Sequence, residues 1–245
     1  MLSSLLAAAT ADAPRTHPPS FEQKFLFDRH DLPLVMSYLQ HALRPDPGFD
    51  AGRISSIYYD TPQLDLYHEK RASFYLKSKI RLRWYGKTTQ QGADVNCFLE
   101  LKFKIGGTRR KDRFPMTMPA AALAKRNLNV AALNAIPAQL PGLGYSFEGA
   151  LAPMVLVQYE RRRFVHQASD TRVAVDTDIC CPAVNQQFVP GMPPAFLEVC
   201  LLEIKGPGQT TPGWAEPLRR HMWRHAFSKY ATCLEYLLQP AGRRE

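Results

Sequence analysis

A chain of 245 residues with 45% apolar and 22% charged residues is long enough to bury a sizeable core, and too apolar to be disordered throughout. Its 31 Lys and Arg against 22 Asp and Glu leave a formal charge of +9 and a pI near 9.4. That excess points to an anionic partner: nucleic acid, a phosphorylated substrate or an anionic surface. Five cysteines, an odd number without a C-x-x-C pair, argue against a disulfide framework and a zinc site and fit a reducing cytosol.

No apolar run approaches the roughly 20 residues that cross a bilayer, so a cytoplasmic protein without a membrane span is expected. Residues 1–19 carry leucines, alanines and a closing Pro18-Pro19 but no basic signal-peptide start. They read as a disordered or loosely helical tail before one domain over 20–240. A strand is expected at 20–27. A helix at 32–43 follows, with Asp31 as N-cap, Pro33 in its first turn and Val35, Leu39 and Leu43 on one face. Strands are expected at 53–59, 73–85, 95–104 and 109–118. An Ala/Leu/Asn-rich helix is expected within 120–140, ended by Pro137 and Pro141. Strands at 155–166, 171–176 and 196–205 come next. A last helix over 214–238 has Trp214, Trp223 and Phe227 on its core side and a possible fresh cap at Ser228. Eight strands with mostly short connections predict an antiparallel, β-dominated α+β fold.

The informative feature is what alternates along those strands, because residues i, i+2 and i+4 share a face. Lys77, Lys79, Arg81 and Arg83 lie opposite Leu76, Ile80, Leu82 and Trp84, and Glu100, Lys102 and Lys104 lie opposite Leu99, Leu101 and Phe103. Tyr159, Arg161 and Arg163 share a face, as do Arg172, Ala174 and Asp176, and also Glu203 and Lys205. A half-buried sheet with a wet polar face is the simplest account. Yet like charges in cross-strand contact destabilise by a few tenths to about 1 kcal/mol per pair, and a solvated face normally mixes its signs. Eight strands can close into a barrel with helices packed on the outside. The charged faces would then converge on a lumen just wide enough for one small or threadlike anion.

The segments carrying this pattern, Phe21-Glu22-Gln23-Lys24, Tyr58-Tyr59-Asp60-Thr61-Pro62, Lys79-Ile80-Arg81-Leu82-Arg83-Trp84, Leu99-Glu100-Leu101-Lys102, Tyr159-Glu160-Arg161, Val175-Asp176-Thr177, Leu202-Glu203-Ile204-Lys205 and Phe227-Ser228-Lys229, occur in an order that resembles the catalytic domain of the vacuolar transporter chaperone (VTC) polyphosphate polymerases. That domain lies within the CYTH-like triphosphate tunnel metalloenzymes, and the likeness spans roughly residues 20–238. It implies an eight-stranded antiparallel tunnel barrel holding triphosphate or polyphosphate beside Mg²⁺ or Mn²⁺. Carried over by position, it implies Lys24, Lys79, Arg81, Arg83, Lys102, Lys111, Arg161, Arg172 and Lys229 as phosphate ligands. Lys24, Arg81, Arg83, Lys102 and Glu203 would be catalytic. Glu203 would be the main metal ligand, with Glu22 and Glu100 as second carboxylates and Glu235 a weaker one. Ser20 stands where the superfamily's E-x-E-x-K signature has its first Glu, which puts two-metal hydrolysis in doubt. No phosphate-sensing or transmembrane segment is evident, so a separate membrane-protein partner is expected for any export.

Arg offers a planar fork to two phosphate oxygens and Lys a compact point charge, so a tube mixing them suits successive phosphates. Carboxylate oxygens suit a hard divalent cation. The leading expectation is metal-dependent transfer of the γ-phosphoryl group of a nucleoside triphosphate to a polyphosphate chain. Hydrolysis of triphosphate or nucleoside triphosphate and polyphosphate binding without turnover are the alternatives. Single-stranded RNA binding ranks last, because the strand aromatics fall mostly on the apolar faces.

Overall fold

A computed structural model of the chain describes residues 21–86, 93–106, 108–169 and 171–239. The expected tail at 1–19 therefore lies outside the described residues. Eleven strands form one sheet: β1 (Phe21–Asp28), β2 (Arg44–Pro45), β3 (Ala51–Asp60), β4 (Leu76–Tyr85), β5 (Asp94–Ile105), β6 (Thr108–Pro119), β7 (Ala152–His166), β8 (Thr171–Val184), β9 (Ala195–Phe196), β10 (Val199–Gly206) and β11 (Trp223–Arg224). Their order in space is β11-β1-β10-β8-β7-β3-β4-β5-β6, with β2 and β9 attached to β7 and β8, and every ladder between these strands is antiparallel.

Eight long strands thus carry the architecture, as the alternation predicts. Strand β1, which has only the two-residue β11 beyond it, shares no ladder with the edge strand β6 among the described residues, but the sheet curls until Arg109 of β6 reaches Glu22 of β1 at 3.7 Å. Bulges supply part of this bend, since an extra residue in one strand kinks it and increases its twist. The register slips between Tyr58 and Tyr59 on β3 and twice between Leu156 and Glu160 on β7. On β8, Asp178 adopts a left-handed φ of 51°. That slip explains why the sequence period stops at Asp176: Asp176 faces the concave side before it, and Ile179 and Cys181 face that side after it.

Outward-facing apolar residues build two cores. Ile57, Ile80, Leu82, Trp84, Leu99 and Leu101 pack beneath the 120–147 region, and Phe25, Phe27, Val173, Val175, Leu202 and Ile204 pack beneath α1 (Leu32–Ala42) and the 3-10 turns at Gly213–His221. The expected helix at 120–140 is only two four-residue helices, α3 (Ala120–Leu123) and α4 (Ala131–Asn134), plus 3-10 turns. Between them the Asn127 side chain accepts from the Asn129 and Gln186 backbone N–H groups, a local bond that competes with helix. Asp31 occupies the N-cap position of α1 without making a cap hydrogen bond; its carboxylate meets His221 at 3.1 Å instead.

The expected helix at 214–238 is likewise divided. Its first half is 3-10, Trp223 sits in the two-residue strand β11 and is 43% exposed rather than in the core, and α5 (Lys229–Leu238) starts afresh at Ser228, whose hydroxyl accepts from Ala231 N. Helix α5 packs within the concave side. Its Tyr230, Cys233, Leu234 and Leu237 join Tyr58, Val155, Val157, Ile179 and Cys181 in a third core that fills part of the interior. One helix escaped the sequence reading altogether: α2 (Asp65–Arg71), whose free backbone donors at Leu66 and Tyr67 are both taken by the buried Asp60 carboxylate. Asp60 also accepts from Tyr230 Oη at 2.7 Å, tying α2 to α5.

The seat of α5 is testable at Gly191, where an added Cβ would lie 2.2 Å from the Leu237 carbonyl oxygen. Gly191→Ala is expected to destabilise the fold by about 1–3 kcal/mol, the usual cost of overpacking, seen as a lower urea midpoint. An unchanged midpoint would place α5 elsewhere.

A basic cavity as the candidate active site

The concave face encloses a cavity of about 770 Å³ between the sheet and the start of α5. Fifteen Lys and Arg side chains line it against two carboxylates, Glu22 and Glu203. Strand parity places most of them, because every second residue of β4, β5, β6, β7 and β10 points inward. Helix α2 adds Lys70, and the turn into α5 adds Ser228 and Lys229.

Two buried carboxylate nodes organise these cations. At the first, Glu100 on β5 is fully buried and pairs with Arg81 at 2.6 Å and Lys111 at 2.8 Å, with Arg113 at 3.5 Å and Arg83 at 3.8 Å. Burial alone would raise its pKa, but Arg81, Arg83 and Lys111 outweigh that and hold it far below the carboxylate range. At the second, Asp176 on β8 takes Arg161 through two hydrogen bonds of 2.5 and 2.6 Å and Lys229 at 2.5 Å. Arg161 also donates to Glu203 at 3.0 Å, and Lys24, Lys205 and Lys229 stand 3.8–3.9 Å from Glu203. Glu203 is likewise held ionised: burial opposes it, and Lys229, Arg161, Lys24 and Lys205 overcome that.

Among the described residues, Lys79 and Lys102 have no carboxylate at ion-pair distance. Lys79 lies 5.8 Å from the centre of the Tyr58 ring and donates to Ser228 Oγ at 3.2 Å. Burial, then neighbouring cations, depress its pKa to about 8. Lys102 is pushed well below the lysine range by Arg81 beside it, by burial and by Arg83. Tyr58 accepts from Arg81 at 3.2 Å; although burial opposes ionisation, Arg81, Lys79 and Arg83 bring its hydroxyl to about 8. This wall holds more positive charge than it can neutralise, so an anion is the species that relieves it.

Of the residues singled out from sequence, Lys24, Lys79, Arg81, Arg83, Lys102, Lys111, Arg161, Lys229, Glu22 and Glu203 all line this cavity. Arg172 does not: it is exposed, four residues before Asp176 on the same strand face. Glu100 is brought to the site but is engaged by Arg81 and Lys111, which leaves it an organiser of cations rather than an open metal ligand. Glu235 lies on the α2–α5 contact, bound by Arg71 and Tyr67, away from the cavity. Sequence reasoning missed Asp176 as a site residue, and Lys70 with it. Nor did it single out Tyr58, whose ring stands on the cavity wall. The parity that selected Lys102 and Glu203 also reaches Lys104, Arg109 and Lys205, whereas nothing periodic marks Lys70.

A divalent cation has a limited donor set here. Among the described residues no group of three or more His, Cys, Asp or Glu side chains could hold a metal ion. Glu22 and Glu203 sit diagonally on the β1–β10 ladder, and apart from the Arg161 bond to Glu203 they meet their lysines and Arg109 only at 3.7–3.9 Å. Two hard oxygen donors with loose ion pairs would suit one Mg²⁺ or Mn²⁺ only if other donors completed its shell. They do not fit a two-metal centre.

The pH response of binding follows in sign. A bound polyanion favours protonated Lys79 and neutral Tyr58, so both pKa values of about 8 rise on binding and protons are taken up. Calorimetry of cyclic trimetaphosphate, whose phosphates do not titrate in this range, at pH 8 in two buffers of different ionisation enthalpy, is expected to show net uptake and an affinity that falls from pH 7 to 9. Proton release would contradict this electrostatic account. Glu100→Gln is expected to destabilise the anion-free protein by about 3–5 kcal/mol, because it leaves buried cations unpaired. Tripolyphosphate should then raise its melting temperature more than that of the parent chain.

Among solved structures, the chain is similar to a candidate adenylate cyclase from Bacillus halodurans at 13% identity and a TM-score of 0.44, covering 78% of this chain and 82% of that one. It is similar to another from Vibrio parahaemolyticus at 14% identity and a TM-score of 0.44, covering 88% and 98%. No curated protein matches. The VTC domain model matches residues 20–238, nearly the whole described sheet together with α5. By that match, this chain belongs to the VTC domain family.

Proposed function

We propose that this protein transfers the γ-phosphoryl group of a nucleoside triphosphate to a polyphosphate chain within the basic cavity, with Mg²⁺ or Mn²⁺ as cofactor. The observation that carries the reading is the wall itself: fifteen cations and two carboxylates around about 770 Å³, inside a VTC domain. In such a transfer an oxygen of the chain's terminal phosphate attacks the γ-phosphorus, the bond to the β-phosphate oxygen breaks, and the nucleoside diphosphate leaves. The protein's part is to hold the partners in line and neutralise charge, with little covalent work. Arg81, Arg83, Lys102 and Lys111 form one wall and Lys24, Arg161 and Lys229 the other, so successive phosphates meet a cation at each step. Glu203 and Glu22 would hold the divalent ion, which supplies charge neutralisation on phosphate oxygens. Single-stranded RNA fits less well, because the large strand aromatics Phe25, Phe27, Tyr59 and Trp84 are buried in the outer cores, out of reach of a strand of stacked bases.

Incubation with ATP and Mn²⁺, with products resolved on a gel, is expected to give long phosphate chains. Free orthophosphate alone would identify a hydrolase, and tripolyphosphate binding without turnover a binding module. Glu203→Gln is expected to reduce turnover by about a hundredfold or more while tripolyphosphate binding survives. Full activity in that variant would remove Glu203 from the metal site.

A further inference from the structure

One edge of the cavity wall carries a feature that phosphate chemistry does not use. Where the chain enters β4 and where β5 leaves, Phe74, Tyr75, Leu76 and Ile105 are 49–74% exposed. They are contiguous: Leu76 pairs with Ile105 across the ladder, and the Gly106 N–H donates to the Tyr75 carbonyl oxygen at 3.0 Å. Gly106 has a φ of 55°, and a Cβ there would lie 2.7 Å from the Tyr75 ring, so the absent side chain is what lets the ring cross the turn. The next rung holds Lys77 opposite Lys104, which in turn faces Arg109 on β6. These three cations line the cavity, as do Lys70 and Arg110. Of the acids beside these cations, Glu69 accepts from the Ser78 N–H at 2.7 Å, Asp112 pairs with Arg110 at 2.8 Å and Glu22 meets Arg109 at 3.7 Å. The lip is thus apolar on one side and strongly basic on the other.

We propose that this lip docks the protein on an anionic bilayer surface, with Phe74, Tyr75, Leu76 and Ile105 entering the headgroup boundary and the adjacent lysines and arginines meeting lipid phosphates. Four side chains at the end of a hairpin are too small a patch for a stable protein interface, which buries about 800 Å² per partner. Exposed apolar clusters of this kind mark contact sites, and aromatic rings with flanking cations suit the interfacial zone of a charged membrane. The opening beside Lys77 and Lys104 would then face the lipid surface. The inference stands whether or not the cavity polymerises phosphate.

Co-sedimentation of the full chain with vesicles tests it. The protein is expected to partition onto mixed phosphatidylcholine–phosphatidylglycerol vesicles and not onto phosphatidylcholine alone. Phe74→Ser with Tyr75→Ser, and separately Leu76→Ser with Ile105→Ser, are expected to weaken partitioning about tenfold. Unchanged circular dichroism melts would show that the variants fold; if one pair fails that check, the other decides. Absence of wild-type binding to the mixed vesicles overturns the proposal. So does equal binding by the folded variants, since that would assign the attraction to the cavity cations alone. A concentration-dependent dimer lost in the variants, without vesicle binding, would assign the lip to a second copy of the chain.

Discussion

Like charge repels, and this fold gathers a great deal of it in one place. Arg81, Arg83, Lys102 and Lys111 share a wall, and the arrangement holds because Glu100 sits fully buried among them. Asp176 does the same for Arg161 and Lys229. A buried carboxylate with several cationic partners fixes where each guanidinium and ammonium stands, and removing one partner would leave buried charge uncompensated. The two nodes neutralise only part of the wall. Lys79 and Lys102 stand half-buried beside other cations, and that burial and crowding depress their pKa values. An entering polyanion relieves that crowding on binding, which is preorganisation in electrostatic form.

The surrounding architecture serves that concentration of charge. Outward faces of the strands bury leucine, isoleucine and valine against α1 and the 120–147 region, which keeps the sheet curved around its polar side. Helix α5 then fills part of the interior with an apolar core and presents Ser228 and Lys229 at its start. Asp60 links this to α2 by accepting from Leu66, Tyr67 and Tyr230 at once. The resulting volume is smaller than an open barrel and lined on most sides by cations. A condensed phosphate suits that shape and a duplex nucleic acid does not.

Most of the strand set was legible because period-two alternation survives wherever one face is apolar and the other charged. Lys77, Lys79, Arg81 and Arg83 declare a single face, and the ladder keeps them on it. Legibility ended at local irregularities. The bulge at Asp178 broke the alternation, so the second half of β8 was not read as strand. Helix α2 has seven residues, too few for a clear 3.6 period, and its N-terminus is held by Asp60, a residue of the preceding strand. The 120–140 stretch has helical composition, but Asn127 and two prolines divide it into single turns.

By itself the sequence determined the sign of the site, most of its strand-borne cations and the family to which they belong, because charge and alternation are local properties of the chain. It could not decide which carboxylate stays open. Glu100, Glu203 and Glu235 look alike in a linear string, yet one is engaged by Arg81 and Lys111, one faces the cavity, and one braces α2 against α5. Nor could it place Asp176 under Arg161, or Tyr58 beside Lys79, since those contacts join strands and helices far apart in sequence. Only the curl of the sheet and the seating of α5 bring them within reach, and distance is what gives each charge its partner.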